Sequence, residues 1–200
     1  MIPNLITLSR IPLLIVVVAL LYGTSAEAQY VAAGLVVVLI LFDMLDGMVA
    51  RAMKQTSVVG SVLDIAADRT VELVMWIVYA DLDLIPVVIP IFVVARGVFV
   101  DALRAVAPAQ GLTPFDLMRS RVGRFLVKSP WLRTPYGIVK AIAFFLLALE
   151  RGLALTQAPA GSGVGLAAQI AAWLAVFLCA ARGIPVLIEA PHALTAQAQQ

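Results

Sequence analysis

The sequence predicts an all-α integral membrane protein, a six-transmembrane-helix bundle. Two observations lead there. Apolar residues make up 62% of the 200 positions and charged residues only 13%, far from the usage of a soluble domain. The apolar residues also fall in long runs, and about 20 residues suffice for a helix to cross the hydrocarbon core. A third observation narrows the function classes. The net charge of +2 is too small to argue for nucleic acid, and the aromatic residues do not interleave with the basic ones. The lone cysteine, Cys179, lies in an apolar run, so neither an internal disulfide nor a C-x-x-C metal site is available. A buried, inert thiol is expected there.

The elements follow in order. A first helix from about Pro3 to Tyr22 begins at the interface and then crosses, with Pro3 suited to a helix start. A secretory signal with cleavage at Ala26-Glu27-Ala28 is the rival reading. The polar Asn4, Thr7 and Ser9 and the late Arg10 fit a charged leader poorly. The second span runs from Tyr30 to about Arg51 and the third from about Ser61 to Ala80. Asp81-Leu82-Asp83 is a short acidic turn. The fourth span, Pro86 to about Ala107, carries Arg96, Asp101 and Arg104. Residues 108–134 form the one long polar connection, rich in arginine. The fifth span is Tyr136 to about Leu155 and the sixth about Leu166 to Ile188, separated by the turn Gly161-Ser162-Gly163. Residues 1–190 are read as one membrane domain and 191–200 as a polar, frayed tail, in which His192 is solvated. No internal repeat is evident.

Six spans put both termini on one side. Arg10, Lys54, the basic residues of 119–133 and Lys140 all fall on that side, whereas Glu27, Asp81, Asp83 and the pair Glu150 and Arg151 fall on the other. Basic loops stay in the cytoplasm, so both termini and the active site are expected on the cytoplasmic side of a bacterial-type inner membrane.

The chemistry concentrates in Phe42 to Arg69. Asp43, Asp46, Gly47, Ala50 and Arg51 are spaced i, i+3, i+4, i+7, i+8, which is one helix face. Asp64 and Asp68 are i, i+4 on a second helix. Lys54-Gln55-Thr56-Ser57 is a polar break between them. Two antiparallel helices joined there would point four carboxylates at one another. Such a group repels itself unless a cation enters, and hard carboxylate oxygens suit Mg²⁺ or Mn²⁺. Two divalent cations would balance the four. Gly47 leaves room for a bulky ligand, and Arg51 offers a fork for phosphate oxygens. The set describes a site for a diphosphate.

This stretch resembles the signature of the CDP-alcohol phosphatidyltransferases, D-x2-D-G-x2-A-R-x8-G-x3-D-x3-D. Every fixed position is matched, by Asp43, Asp46, Gly47, Ala50, Arg51, Gly60, Asp64 and Asp68. The segment Pro3-Asn4-Leu5-Ile6-Thr7-Leu8-Ser9-Arg10 is similar to the P-N-x-L-T-x-x-R start of bacterial phosphatidylglycerophosphate synthases. The resemblance implies transfer of a phosphatidyl group from CDP-diacylglycerol to an acceptor alcohol, with CMP leaving. It implies Asp43, Asp46, Asp64 and Asp68 as ligands of two metal ions, and Asp68 as the general base. It further implies Asn4, Thr7, Gly47, Arg51 and Ser57 as contacts of the CDP-lipid. A homodimer is the expected assembly by analogy, with Ala32, Ala33 and Gly34 permitting close helix contact.

Two departures bear on the acceptor. The synthases read L-D-P-x-A-D-K where this chain has Leu63-Asp64-Ile65-Ala66-Ala67-Asp68-Arg69, and they carry an R-E pair where it has Arg96-Gly97. Tyr136-Gly137-Ile138-Val139-Lys140 keeps the glycine and second lysine of their G-K-x-K-T segment. Arg96 lies deep in its span, where an arginine costs at least ~2.5 kcal/mol without an anionic partner. Arg96, Arg104 and Lys140 are therefore expected to bind a phosphorylated polyol, glycerol 3-phosphate first. Inositol phosphate, serine and phosphatidylglycerol remain as alternative acceptors. Glu72 could touch the acceptor, but pairing with Arg69 is the expected role. A cation transporter is the non-enzyme alternative; it should hold carboxylates at several depths, whereas these form one layer beside G-x-x-A-R.

Overall fold

The computed structural model describes residues 2–52, 58–109, 120, 123, 125, 130–156 and 163–197. Side chains are described within those ranges except at 2–6, 43–52, 58, 59, 61, 104, 107–109, 130–133 and 192–197. Six long helices account for nearly all of the described residues: α1 (Ile2–Leu21), α2 (Ala26–Ala52), α3 (Val58–Asp81), α4 (Val88–Ala109), α5 (Pro130–Leu155) and α6 (Gly163–Gln197). Exposed large apolar side chains stud every one of them, for example Ile15, Val31, Ile77, Phe99, Ile142 and Phe177. An outer surface of that kind suits hydrocarbon rather than water. Among the described residues, Gly163–Pro191 is long and apolar enough to cross a membrane by length and composition, and Thr7–Leu21 and Ala26–Phe42 are shorter apolar helical segments.

Two boundaries depart from the sequence reading. α5 begins at Pro130, six residues before the expected Tyr136, and carries Pro135 inside it. Pro130 suits the first turn, where the amide it lacks has no helical partner, whereas Pro135 stands one turn further in and gives up a helical hydrogen bond. α6 continues past Ile188 to Gln197, through Pro185 and Pro191. The expected frayed tail is thus helical for most of its length. Lys54-Gln55-Thr56-Ser57 and Gly161-Ser162 lie outside the described residues.

The chain forms two compact units. The first comprises Met1–Val87 and Ala141–Ala171. Within it α1 packs on both α2 and α3. Its core takes Leu14, Val17 and Leu21 from α1, Val36 and Leu39 from α2, Met75, Trp76 and Tyr79 from α3, and Phe144 and Leu147 from α5. The Trp76 and Phe144 rings meet edge to face with centroids 4.8 Å apart, a geometry that adds to simple burial. The buried Tyr79 hydroxyl donates to the Phe144 carbonyl.

Helix ends in this unit are closed by specific partners. The Ser25 hydroxyl accepts from the Ala28 amide and caps α2. At the end of α3, Leu84 N–H reaches Tyr79 O and Asp83 N–H reaches Ala80 O, both at 3.0 Å. Asp83 has φ 57°, the left-handed residue of a Schellman close. This is the acidic turn expected from the sequence. The last carbonyls of α1 would be orphaned in an apolar setting. The fully buried Gln29 amide nitrogen reaches those of Leu20, Leu21 and Gly23, at 3.0, 3.3 and 2.8 Å. Arg151 Nε adds a 2.8 Å bond to Leu21 O, and a cation at that end also favours the helix dipole.

The second unit comprises Val88–Lys140 and Ala172–Gln200. On α4, Ile89, Val93, Arg96 and Val100 are buried, a stripe at i, i+4, i+7, i+11. The facing stripe of α6 is narrow: Ala172, Ala175, Cys179, Val186 and Ala190 are buried, with Gly183 among them. Small residues of this kind let helices approach closely in lipid. Cys179 is a buried thiol, as expected.

Candidate active site

The signature residues sit on two helices. Asp43, Asp46, Gly47, Ala50 and Arg51 lie on the last turns of α2 in the one-face register read from the sequence, and their side chains fall outside the described set. Gly60, Asp64 and Asp68 lie on α3. The Asp64 and Asp68 carboxylates are one turn apart and about half exposed, at 50% and 46%.

A third helix supplies a partner that sequence reasoning missed. Arg10 of α1 is 2% exposed. One terminal nitrogen lies 3.9 Å from Asp64 Oδ1 and the other 3.7 Å from Asp68 Oδ1. The guanidinium fork thus reaches both carboxylates. A signal for it exists in the sequence. Thr7, Arg10, Leu14, Val17 and Leu21 recur at i, i+3, i+7, i+10, i+14, and all five are buried. Arg10 is in the core stripe of α1, although its charge alone suggested an interfacial residue. Thr7, on the same stripe, is buried at the same end. Asn4 lies on α1 with its side chain outside the described set, and Ser57 lies outside the described residues altogether.

One turn below Asp68, Glu72 is 1% exposed and meets Arg69 at 3.1 Å. A carboxylate so deep requires a cation, so its structural role is the one expected. Among the described side chains no three His, Cys, Asp or Glu gather as a metal site. Asp64 and Asp68 nonetheless fit a hard divalent cation. They are oxygen donors one turn apart, about half exposed and within ion-pair distance of a positive group.

The residues expected to bind an acceptor lie in the second unit. Arg96 is 6% exposed, and its Nε has no hydrogen-bond partner. Gly183 clears its path: a Cβ there would lie 2.4 Å from Arg96 Nε and 2.7 Å from its Cγ. The buried Tyr136 ring carries two cations, Lys140 Nζ at 5.5 Å and Arg182 Cζ at 6.0 Å from its centroid, within cation–π range. Arg182 is a second residue missed from sequence. As a cation within the sixth apolar run it met the depth argument applied to Arg96. The Arg104 side chain is outside the described set. Gly97, where the synthases carry glutamate, is not demanded by packing, since a Cβ there meets nothing within 4 Å.

The family model for CDP-alcohol phosphatidyltransferase matches residues 1–181. The chain belongs to the CDP-alcohol phosphatidyltransferase family. That family is membrane-integral and generally uses divalent metal ions, in keeping with the apolar outer surface and the paired aspartates. The chain is also similar to a cardiolipin synthase (CMP-forming) of Rattus norvegicus, 37% identical over 102 residues, which are 50% of this chain and 33% of the relative. It therefore spans about a third of the length of the curated relative it matches.

Proposed function

We propose that this CDP-alcohol phosphatidyltransferase moves a phosphatidyl group from CDP-diacylglycerol to an acceptor alcohol, glycerol 3-phosphate first, with release of CMP. The observation that carries the reading is the complete signature on α2 and α3, within a family match over residues 1–181. The similarity to a CMP-forming relative supports the same leaving group.

The roles follow from the residue types. Asp43, Asp46, Asp64 and Asp68 would hold two divalent cations, Mg²⁺ or Mn²⁺. Metal bound there supplies charge neutralisation at the diphosphate and at the leaving oxygen. Asn4, Thr7, Gly47, Arg51 and Ser57 bind and orient the CDP group. Asp68 accepts the proton of the acceptor hydroxyl as the new oxygen–phosphorus bond forms and the bond to CMP breaks. Arg96, Arg104 and Lys140 hold the acceptor phosphate. For Arg96 the support is its burial without a hydrogen-bond partner at Nε, which an anion would relieve. The six helices are taken as spans of a bacterial-type inner membrane, with the site and both termini cytoplasmic and a homodimer as the assembly.

A second reading keeps the donor and takes phosphatidylglycerol as acceptor. It is favoured by the similarity to the rat cardiolipin synthase. Purified protein with labelled CDP-diacylglycerol, Mg²⁺ or Mn²⁺ and a panel of acceptors separates the two by the mass of the lipid product. Glycerol 3-phosphate should give phosphatidylglycerophosphate. Cardiolipin formed from phosphatidylglycerol, with no product from glycerol 3-phosphate, would establish the second reading. CMP release with serine alone would sink both.

A further inference from the structure

Tyr136, near the start of α5, has no role in the reaction as assigned. It is 8% exposed. Two cations lie over its ring, Lys140 Nζ at 5.5 Å and Arg182 Cζ at 6.0 Å from the centroid. Lys140 is four residues further along α5, the spacing that shares a helix face. Arg182 comes from α6. The ring is buried, whereas both cations are only partly buried. Each cation is thus seated on an apolar platform and stays within reach of an anion.

We infer that Tyr136 is a positioning residue: its ring fixes Lys140 for the acceptor phosphate, with Arg182 as a second cation on the same ring. The inference rests on the acceptor-phosphate reading above. A lysine ammonium rides on a flexible four-carbon stem, and near the end of a span it would otherwise extend toward headgroups. Holding it still costs side-chain entropy. A ring that holds it in the folded protein moves that cost from acceptor binding to folding, which is preorganisation. The kind of partner matters as well. A carboxylate would fix the ammonium and neutralise it, whereas a neutral ring attracts it through the quadrupole and leaves its charge whole. The same attraction offsets the repulsion between Lys140 and Arg182. These ring contacts stand beside other contacts that the three residues make.

The test is initial-rate CMP release by the purified full chain in mixed micelles, with CDP-diacylglycerol and glycerol 3-phosphate each varied in turn. Tyr136→Phe and Tyr136→Leu both lose the hydroxyl, so the comparison between them isolates the ring. Tyr136→Leu should show a KM for glycerol 3-phosphate about fivefold or more above that of Tyr136→Phe, the scale of a lost cation–π contact. The KM for CDP-diacylglycerol and kcat should agree between the two variants within about twofold, the split expected when one binding interaction is lost. Mono-, di- and trifluorinated phenylalanine in place of Tyr136 supply a readout that packing alone does not move. Each fluorine barely changes the size of the ring but withdraws charge from its face, so the acceptor KM should climb stepwise along the series. A flat series, or equal acceptor KM for the Phe and Leu variants, would overturn the inference; Lys140→Ala, run beside them, would still raise that KM if the acceptor-phosphate reading holds. No lipid product from glycerol 3-phosphate with wild type would remove the reading and the inference together. Should Tyr136→Leu fail to fold, the fluorinated series decides.

Discussion

Gly183→Ala adds one methyl group to α6, and its effect can be worked from the packing. The new Cβ would lie 2.4 Å from Arg96 Nε, 2.7 Å from Cγ and 3.1 Å from Cδ. The first two distances are shorter than non-bonded atoms approach. Cγ belongs to the arginine stem, so turning the guanidinium alone does not relieve the clash. Arg96 must change rotamer or α4 and α6 must part locally. Overpacking of this kind costs about 1–3 kcal/mol. If the arginine yields, the cost falls on acceptor binding, and 1–3 kcal/mol corresponds to roughly a 5- to 150-fold rise in KM. If the helices yield, the cost falls on stability. The assay is initial-rate CMP release in mixed micelles, varying the acceptor at saturating CDP-diacylglycerol and then the reverse, with thermal unfolding measured alongside. KM for the acceptor should rise while KM for CDP-diacylglycerol stays within about twofold, the discrimination expected when one binding interaction is lost. Unchanged acceptor KM together with an unchanged unfolding temperature would refute the reasoning.

Other outcomes are expected. Chelation should abolish turnover and Mg²⁺ or Mn²⁺ should restore it, and Asp43→Asn or Asp64→Asn should each remove nearly all activity; substantial turnover by either purified variant would end the two-metal reading. Asp68→Asn should lower kcat far more than it weakens CDP-diacylglycerol binding, and a near-normal kcat would show that another group takes the proton. Arg96→Ala and Lys140→Ala should raise KM for the acceptor far more than for CDP-diacylglycerol; equal loss toward both would mark general misfolding. Gln29→Leu removes the amide donor that the Leu20, Leu21 and Gly23 carbonyls share; Leu20 O keeps the Gly23 amide and Leu21 O keeps Arg151, so the loss falls on the Gly23 carbonyl and should cost about 1–3 kcal/mol, lowering the unfolding temperature with no change in either KM.

Much of the molecule is local and so was legible in the sequence. A run of apolar residues long enough to cross a membrane becomes a helix because lipid leaves the backbone no other partner, and all six expected helices are present. The turn at Asp81-Leu82-Asp83, the pairing of Glu72 with Arg69 and the burial of Cys179 depend on near neighbours or on an apolar run, and they too were readable. The spacing of the aspartates pointed to metal and diphosphate because side chains at i and i+4 must share a face. Helix ends were less legible. α5 starts and α6 ends among prolines and polar residues, where a short gain in apolar pattern no longer signals the stop.

Tertiary structure alone decided which charges meet. Arg10 is 54 residues before Asp64 in the chain, and nothing local says that α1 turns this arginine into the core rather than toward headgroups. Arg151 closes the end of α1 from 130 residues away. Gly183 reads as one more small residue in an alanine-rich helix until Arg96 is seen to lie against it. These pairings arise because a buried charge or an orphaned carbonyl must find a partner wherever the packed helices place one. Which helix supplies that partner is a property of the packing and not of any stretch of sequence.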